Sequence, residues 1–213
     1  MKMVSLMFDK DKFEKIGTDI YVYHNFISSE EADSVTSYLD SLSPEDYWQP
    51  HPEKRFKVKE NKNVKSLEEI RSRIKSLLHE GYYVGTNTHP HKLLKGTKRF
   101  AHSDKEEFVE ALQASEMYVE GEEFDYADGI DIGMYLFFND FEGGEFYYEG
   151  QDLVYKPSKG DLVFHSPEDH CRHSTQEILS EKYYAWPNHI YHMIKVPKTY
   201  IPTGHPLTNS MGR

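Results

Sequence analysis

The chain of 213 residues carries 36 acidic against 25 basic side chains, a formal net charge of −11, and is 38% hydrophobic. That length and apolar content suit one domain with one sizeable core, and the acidic balance excludes nucleic-acid binding driven by phosphate neutralisation. The single cysteine, Cys171, excludes an intrachain disulfide and points to a reducing compartment; with no stretch near ~20 apolar residues and too short an apolar run in MKMVSLMFDKDKFEK for a leader, the expected location is cytoplasmic, with no membrane partner.

Residues 16–27 (IGTDIYVYHNFI) alternate as one strand. Ser28 and Glu31 then form a capping box, with Ala32, Val35, Leu39 and Leu42 at helical spacing behind it. A second capping box, Ser66 with Glu69, opens a helix over about 66–80, in which Leu67, Ile70, Ile74, Leu77 and Leu78 share one face and Gly81 stands where a C-terminal cap is expected. The segments 43–65 and 85–101, rich in Pro, Lys and Asn with little periodicity, read as loops.

From about 111 the period becomes two, with aromatic and β-branched residues at 112–119, 132–138, 144–148, 153–156, 161–165, 183–186 and 190–194. Helices first and antiparallel strands afterwards predict an α+β chain, a double-stranded β-helix (jelly-roll) core with the N-terminal helices packed on one sheet. The expectation is a single domain over 1–213: strand and helix support with loops over 1–110, the core over 111–195, and a C-terminal tail over 196–213.

Within the core, Phe138-Asn139-Asp140, Gly143-Gly144-Glu145, Pro157 followed by Gly160-Asp161, His173 and Lys182 occur in one frame. In this order they resemble the prolyl 4-hydroxylase-like family of iron(II)- and 2-oxoglutarate-dependent oxygenases, over roughly residues 112–187. The resemblance implies Fe(II) and 2-oxoglutarate as cofactors, His173 as the distal metal ligand, and Lys182, nine residues on, as the cation holding the far carboxylate of 2-oxoglutarate. It also requires His173 and Lys182 to face one pocket. Of the neighbouring histidines, His165 lies in phase with Asp161 and Val163 on a strand, and His170 is too far ahead of Lys182 for the family spacing.

Such oxygenases hold iron with two histidines and a carboxylate, the first pair written His-x-Asp. The connection from Tyr118 to Gly129, where that pair belongs, contains no histidine. Asp128 is the carboxylate in the expected connection, with Asp125 and Asp131 nearby, and Tyr126 stands in the place of the absent histidine. A literal His-x-Asp lies upstream at His102 and Asp104, where Ser103 with Glu106 also reads as a third capping box. Both sets stay open at this point.

The expected activity is hydroxylation of a peptide, amino-acid residue or small molecule with dioxygen as co-substrate. The alternatives are a jelly-roll binding module that has lost the iron triad, and a cupin-like metal protein using His89, His91 or His102 with His173. Basic residues over 92–99, with Tyr82, Tyr83 and Phe100, offer a place for a peptide.

Overall fold

The computed structural model describes residues 7–43, 46–51, 55–58, 65–85, 90–105, 116–117, 123–126, 130–192, 194–197 and 201–202. In chain order these hold strands β1 (Glu14–Gly17) and β2 (Ile20–Tyr23), helix α1 (Ser29–Ser41), strands β3 (Tyr47–His51) and β4 (Arg55–Val58), and helix α2 (Lys65–Leu77). Next come β5 (Tyr82–Val84), β6 (His91–Leu94), β7 (Arg99–His102), β8 (Glu116–Met117), β9 (Glu123–Tyr126), β10 (Ile132–Phe137) and β11 (Phe146–Tyr148). The last strands are β12 (Leu153–Tyr155), β13 (Leu162–His165), β14 (His173–Thr175), β15 (Lys182–His192), β16 (Ile194–Pro197) and β17 (Ile201–Pro202).

The larger sheet runs β1-β2-β13-β10-β15-β6-β4-β3, with β5 also on β15; the smaller runs β12-β11-β14-β7. Two short ribbons, β16 with β9 and β17 with β8, complete the described strands, and the pairings within the two sheets are antiparallel. The chain is thus mostly antiparallel β-sheet with two helices. No helix among the described residues is long and apolar enough to cross a membrane.

All six residues of β10, IGMYLF, are buried, because the larger sheet is covered on both faces. Ile132, Met134 and Leu136 pack with Ala32, Val35 and Leu39 of α1 and with Leu67, Ile70 and Ile74 of α2. The alternate residues Tyr135 and Phe137 join Phe146 and Tyr148 of the smaller sheet in a second core between the sheets. In β15 the same parity sends Tyr184 and Trp186 to the helices, and Tyr183 and Ala185 to the space between sheets. Helix α1 begins as expected: Ser28 Oγ accepts from the Glu31 N–H at 3.2 Å and the Glu31 carboxylate accepts from the Ser28 N–H at 2.8 Å.

Several elements differ from the sequence reading. Residues 16–27 form a hairpin, β1 and β2, because Thr18 and Asp19 make a tight turn with Asp19 at φ 55°. The expected loops 43–65 and 85–101 contain β3, β4, β6 and β7. Their Lys, Arg and Pro content suits strands at or near a sheet edge, and it conceals them from a search for apolar alternation. The strands expected at 183–186 and 190–194 are one, β15, running through Pro187. On one side β15 pairs with β6 over Lys182–Ala185 and with β5 over Ile190–His192, so Pro187 falls between the two partners. Helix α2 stops at Leu77, and Gly81, at φ 86°, makes the turn into β5 instead of capping the helix. Most of the strand expected at 112–119 lies outside the described residues.

Truncating Leu136, fully buried under the helices, should cost about 2–5 kcal/mol in urea unfolding followed by circular dichroism. Truncating Val154, which is 60% exposed, should change stability by less than about 0.5 kcal/mol.

Candidate metal centre

Strands β7 and β14 lie side by side in the smaller sheet, with His102 opposite His173. One residue past the end of β7, Asp104 and Lys105 take helical conformation, so the helix start read at Ser103 and the literal His-x-Asp are both present. The strand supplies His102 and the turn swings the Asp104 carboxylate beneath the sheet. One ligand atom each from His102, Asp104 and His173 lie within 4.8 Å of one another. His173 is 1% exposed and Asp104 3% exposed.

The histidines are held by their Nδ1 atoms. Nδ1–H of His173 donates to the Cys171 carbonyl at 3.2 Å, and that of His102 to the Phe100 carbonyl at 3.0 Å. This fixes the tautomer with the lone pair on Nε2, the form that binds a metal. Nε2 of His173 is buried and has no hydrogen-bond partner. Burial, then the neighbouring His165, drives the His173 pKa well below its ordinary value, so the ring is neutral at physiological pH.

Burial alone would raise the Asp104 carboxyl. The hydrogen bond from His165 and the positive potential of His165 and His189 outweigh it and hold the carboxyl well below the usual carboxylate range. His165 Nε2 lies 3.0 Å from Asp104 Oδ2, and His189 Nε2 lies 3.9 Å from Oδ1. The Tyr148 hydroxyl stands 3.0 Å from His165 Nδ1. Burial pushes the Tyr148 phenol well above its ordinary value; the Asp104 carboxylate, which can only accept, takes the Nε2–H of His165.

Gly133 of β10 makes the room. A Cβ there would stand 1.9 Å from Asp104 Oδ2 and 2.3 Å from His165 Nε2. Two imidazoles, a carboxylate, an unsatisfied buried Nε2 on His173 and a cradle that one methyl group would fill suit a divalent metal of the iron type.

The remaining sequence candidates lie elsewhere. Lys182 shares the helix-facing side of β15 with Tyr184; its Nζ donates to Asp40 Oδ1 of α1 at 2.6 Å, and its side chain is 48% exposed. It therefore faces away from His173, and the structure separates the pair that the resemblance placed in one pocket. The next residue, Tyr183, points between the sheets. Asp128 lies outside the described residues; Tyr126 is the last residue of β9, and its side chain also lies outside them, as does His89. His91 is buried on β6 but is not part of the cluster, and His170 Nε2 pairs with Asp19 Oδ2 at 3.2 Å. Sequence reasoning set His165 aside and missed His189, Tyr148 and Gly133. A glycine inside the apolar run IGMYLF was the available signal for a close approach on β10.

No protein-family model matches the sequence, and no curated protein matches it. Solved structures of like fold do exist. A 2OG complex of a viral collagen prolyl hydroxylase from Paramecium bursaria Chlorella virus-1 matches with a TM-score of 0.55 and 13% identity, covering 82% of this chain and 96% of that one. An oxidoreductase of the 2OG-Fe(II) oxygenase family from Burkholderia pseudomallei matches at 0.56 and 13%, covering 82% and 84%. HygX from Streptomyces hygroscopicus, with nickel and 2-oxoglutarate bound, matches at 0.54 and 11%, covering 85% and 84%. At these identities the likeness is one of fold.

Replacing Gly133 by alanine should displace the Asp104 carboxylate and lower affinity for a divalent metal by about tenfold or more. A cobalt(II) titration read by visible absorbance checks this.

Proposed function

We propose that this chain is an iron(II)- and 2-oxoglutarate-dependent oxygenase, built on a jelly-roll core, that hydroxylates a peptide, an amino-acid residue or a small molecule. The observation that carries the reading is the convergence of His102, Asp104 and His173 within 4.8 Å, with Nε2 of His173 buried and without a partner. These residues are the metal ligands in this reading, and Asp128 is not needed. Two histidines and one carboxylate leave metal positions open for a chelating 2-oxo acid and for dioxygen. Bound iron supplies the redox chemistry that couples decarboxylation of the 2-oxo acid to oxidation of a C–H bond.

The chain's own residues prepare that site. The Cys171 and Phe100 carbonyls present both imidazoles in the metal-binding tautomer. Tyr148 and His165 orient Asp104 through hydrogen bonds. Tyr135, Phe146 and Tyr148 surround the His173 ring, with centroids at 5.9, 5.5 and 5.8 Å, and exclude water from it. On the outside of the same strand as His102, Phe100 is 72% exposed and offers an apolar contact to a peptide. Structures of like fold include a collagen prolyl hydroxylase and one with hygromycin B bound, so the fold accommodates peptide and small-molecule substrates alike.

The test is anaerobic reconstitution. Iron(II) with 2-oxoglutarate should produce a visible charge-transfer band at one iron per chain, and admitting oxygen should yield succinate. Alanine at His102, Asp104 or His173 should each weaken iron binding by about tenfold or more with the circular dichroism spectrum retained, while Asp128→Ala keeps the iron. Iron retained at the parent level in His173→Ala, or lost in Asp128→Ala, would overturn the assignment.

A further inference from the structure

The parity of β15 turns Lys182 toward the helices and puts Tyr183, fully buried, between the sheets. An extended diacid chelated at His173 would still need a cation on the inner side. Strand β7 carries one. Arg99 and His102 are three residues apart, and in a regular strand that offset puts them on opposite faces. Between the pairs His173↔His102 and Thr175↔Arg99, however, β14 advances two residues while β7 advances three. The extra residue is a bulge, the device that re-aims a side chain next to a site. As a result both Arg99 and His102 reach the inner side: Arg99 Nη1 donates to the Tyr135 hydroxyl at 3.0 Å, and the His102 ring lies 4.6 Å from that of His173.

Tyr135 links the two ends of this arrangement, with its hydroxyl at Arg99 and its ring 5.9 Å from His173. A dicarboxylate chelated at His173 and lying along that ring would point its far end at the guanidinium. The charge of Arg99 also reaches the buried Tyr183 phenol. In the connection from β6 to β7, Thr97 is 1% exposed and its Oγ1 has no hydrogen-bond partner, which leaves a hydroxyl two residues before Arg99 with a bond still to make.

Resting on the oxygenase reading above, we infer that Arg99, assisted by Tyr135, holds the far carboxylate of 2-oxoglutarate, and that Lys182 has no part in binding it. The planar guanidinium fork matches a carboxylate with two parallel hydrogen bonds, which a lysine cannot do. Arg99 is placed for this by the bulge in β7, on the strand that also supplies the first metal ligand.

The experiment compares 2-oxoglutarate with pyruvate, a 2-oxo acid that keeps the chelating end and lacks the far carboxylate. Binding of each to the manganese(II)-loaded protein is measured by isothermal titration without oxygen, so no turnover is required. The parent should prefer 2-oxoglutarate. Arg99→Gln should weaken 2-oxoglutarate binding by about ten- to hundredfold and leave manganese and pyruvate affinities unchanged. Arg99→Lys should recover part of the loss, Tyr135→Phe should weaken 2-oxoglutarate binding by a smaller factor with the fold intact, and Lys182→Gln should bind like the parent. A preference for 2-oxoglutarate that survives in Arg99→Gln and Tyr135→Phe, or that disappears in Lys182→Gln, would overturn the Arg99 assignment alone. A manganese-loaded parent that binds neither acid would instead overturn the oxygenase reading beneath it.

Discussion

A carboxylate buried to 3% exposure costs several kcal/mol unless charge and hydrogen bonds replace the lost water, and the interior of this protein is arranged around that requirement at Asp104. His165 donates to one of its oxygens, His189 brings positive potential near the other, Tyr148 hydrogen-bonds the far side of the His165 ring, and Gly133 gives up its side chain so that the carboxylate can lie against β10. His102 and His173 are brought to the same carboxylate by the pairing of β7 with β14. The anion, the aromatic floor and the two strands therefore depend on one another. A divalent cation at the imidazole Nε2 atoms would compensate the same buried charge from the open side.

The second constraint is the alternation of β10 and β15. Each strand is buried on both faces, so a shift of one residue decides whether a side chain meets the helices or the space between the sheets. Tyr184 packs under α1 and α2, Tyr183 lies inside, and Lys182 is committed to Asp40 at the surface of α1. A cation for the inner side must then come from another strand, and a bulge in β7 delivers Arg99 there. The geometry of the smaller sheet sets both ends of the proposed binding site.

Much of the fold was legible. The capping box at Ser28 and Glu31, the apolar stripes of both helices and the short aromatic strands from Ile132 onward give the elements observed. The motif residues that carry the family resemblance are mostly structural here. Gly143 adopts φ 68° against the Glu177 carbonyl, Asn139 accepts the Tyr184 N–H, and Asp161 accepts from the Ser158 N–H and the Tyr155 hydroxyl. They report turns that any chain of this shape needs, and so they locate the sheets without deciding which cation faces His173. The edge and near-edge strands β3, β4, β6 and β7 were hidden by their polar composition, and with them the strand that ends in His102. Placing the His-x-Asp pair by its distance from later motifs therefore favoured Asp128, whereas a pairing between strands separated by some seventy residues in sequence brings His102 to His173. A bulge and a strand's facing direction leave no mark in a single sequence.

The central claim is that a metal sits among His102, Asp104 and His173. An anomalous-scattering map from crystals grown with manganese(II) tests it most directly. The account predicts one strong peak bonded to Nε2 of His102, a carboxylate oxygen of Asp104 and Nε2 of His173. A peak at Asp128, or no ordered metal at the three residues in saturating manganese, would contradict it.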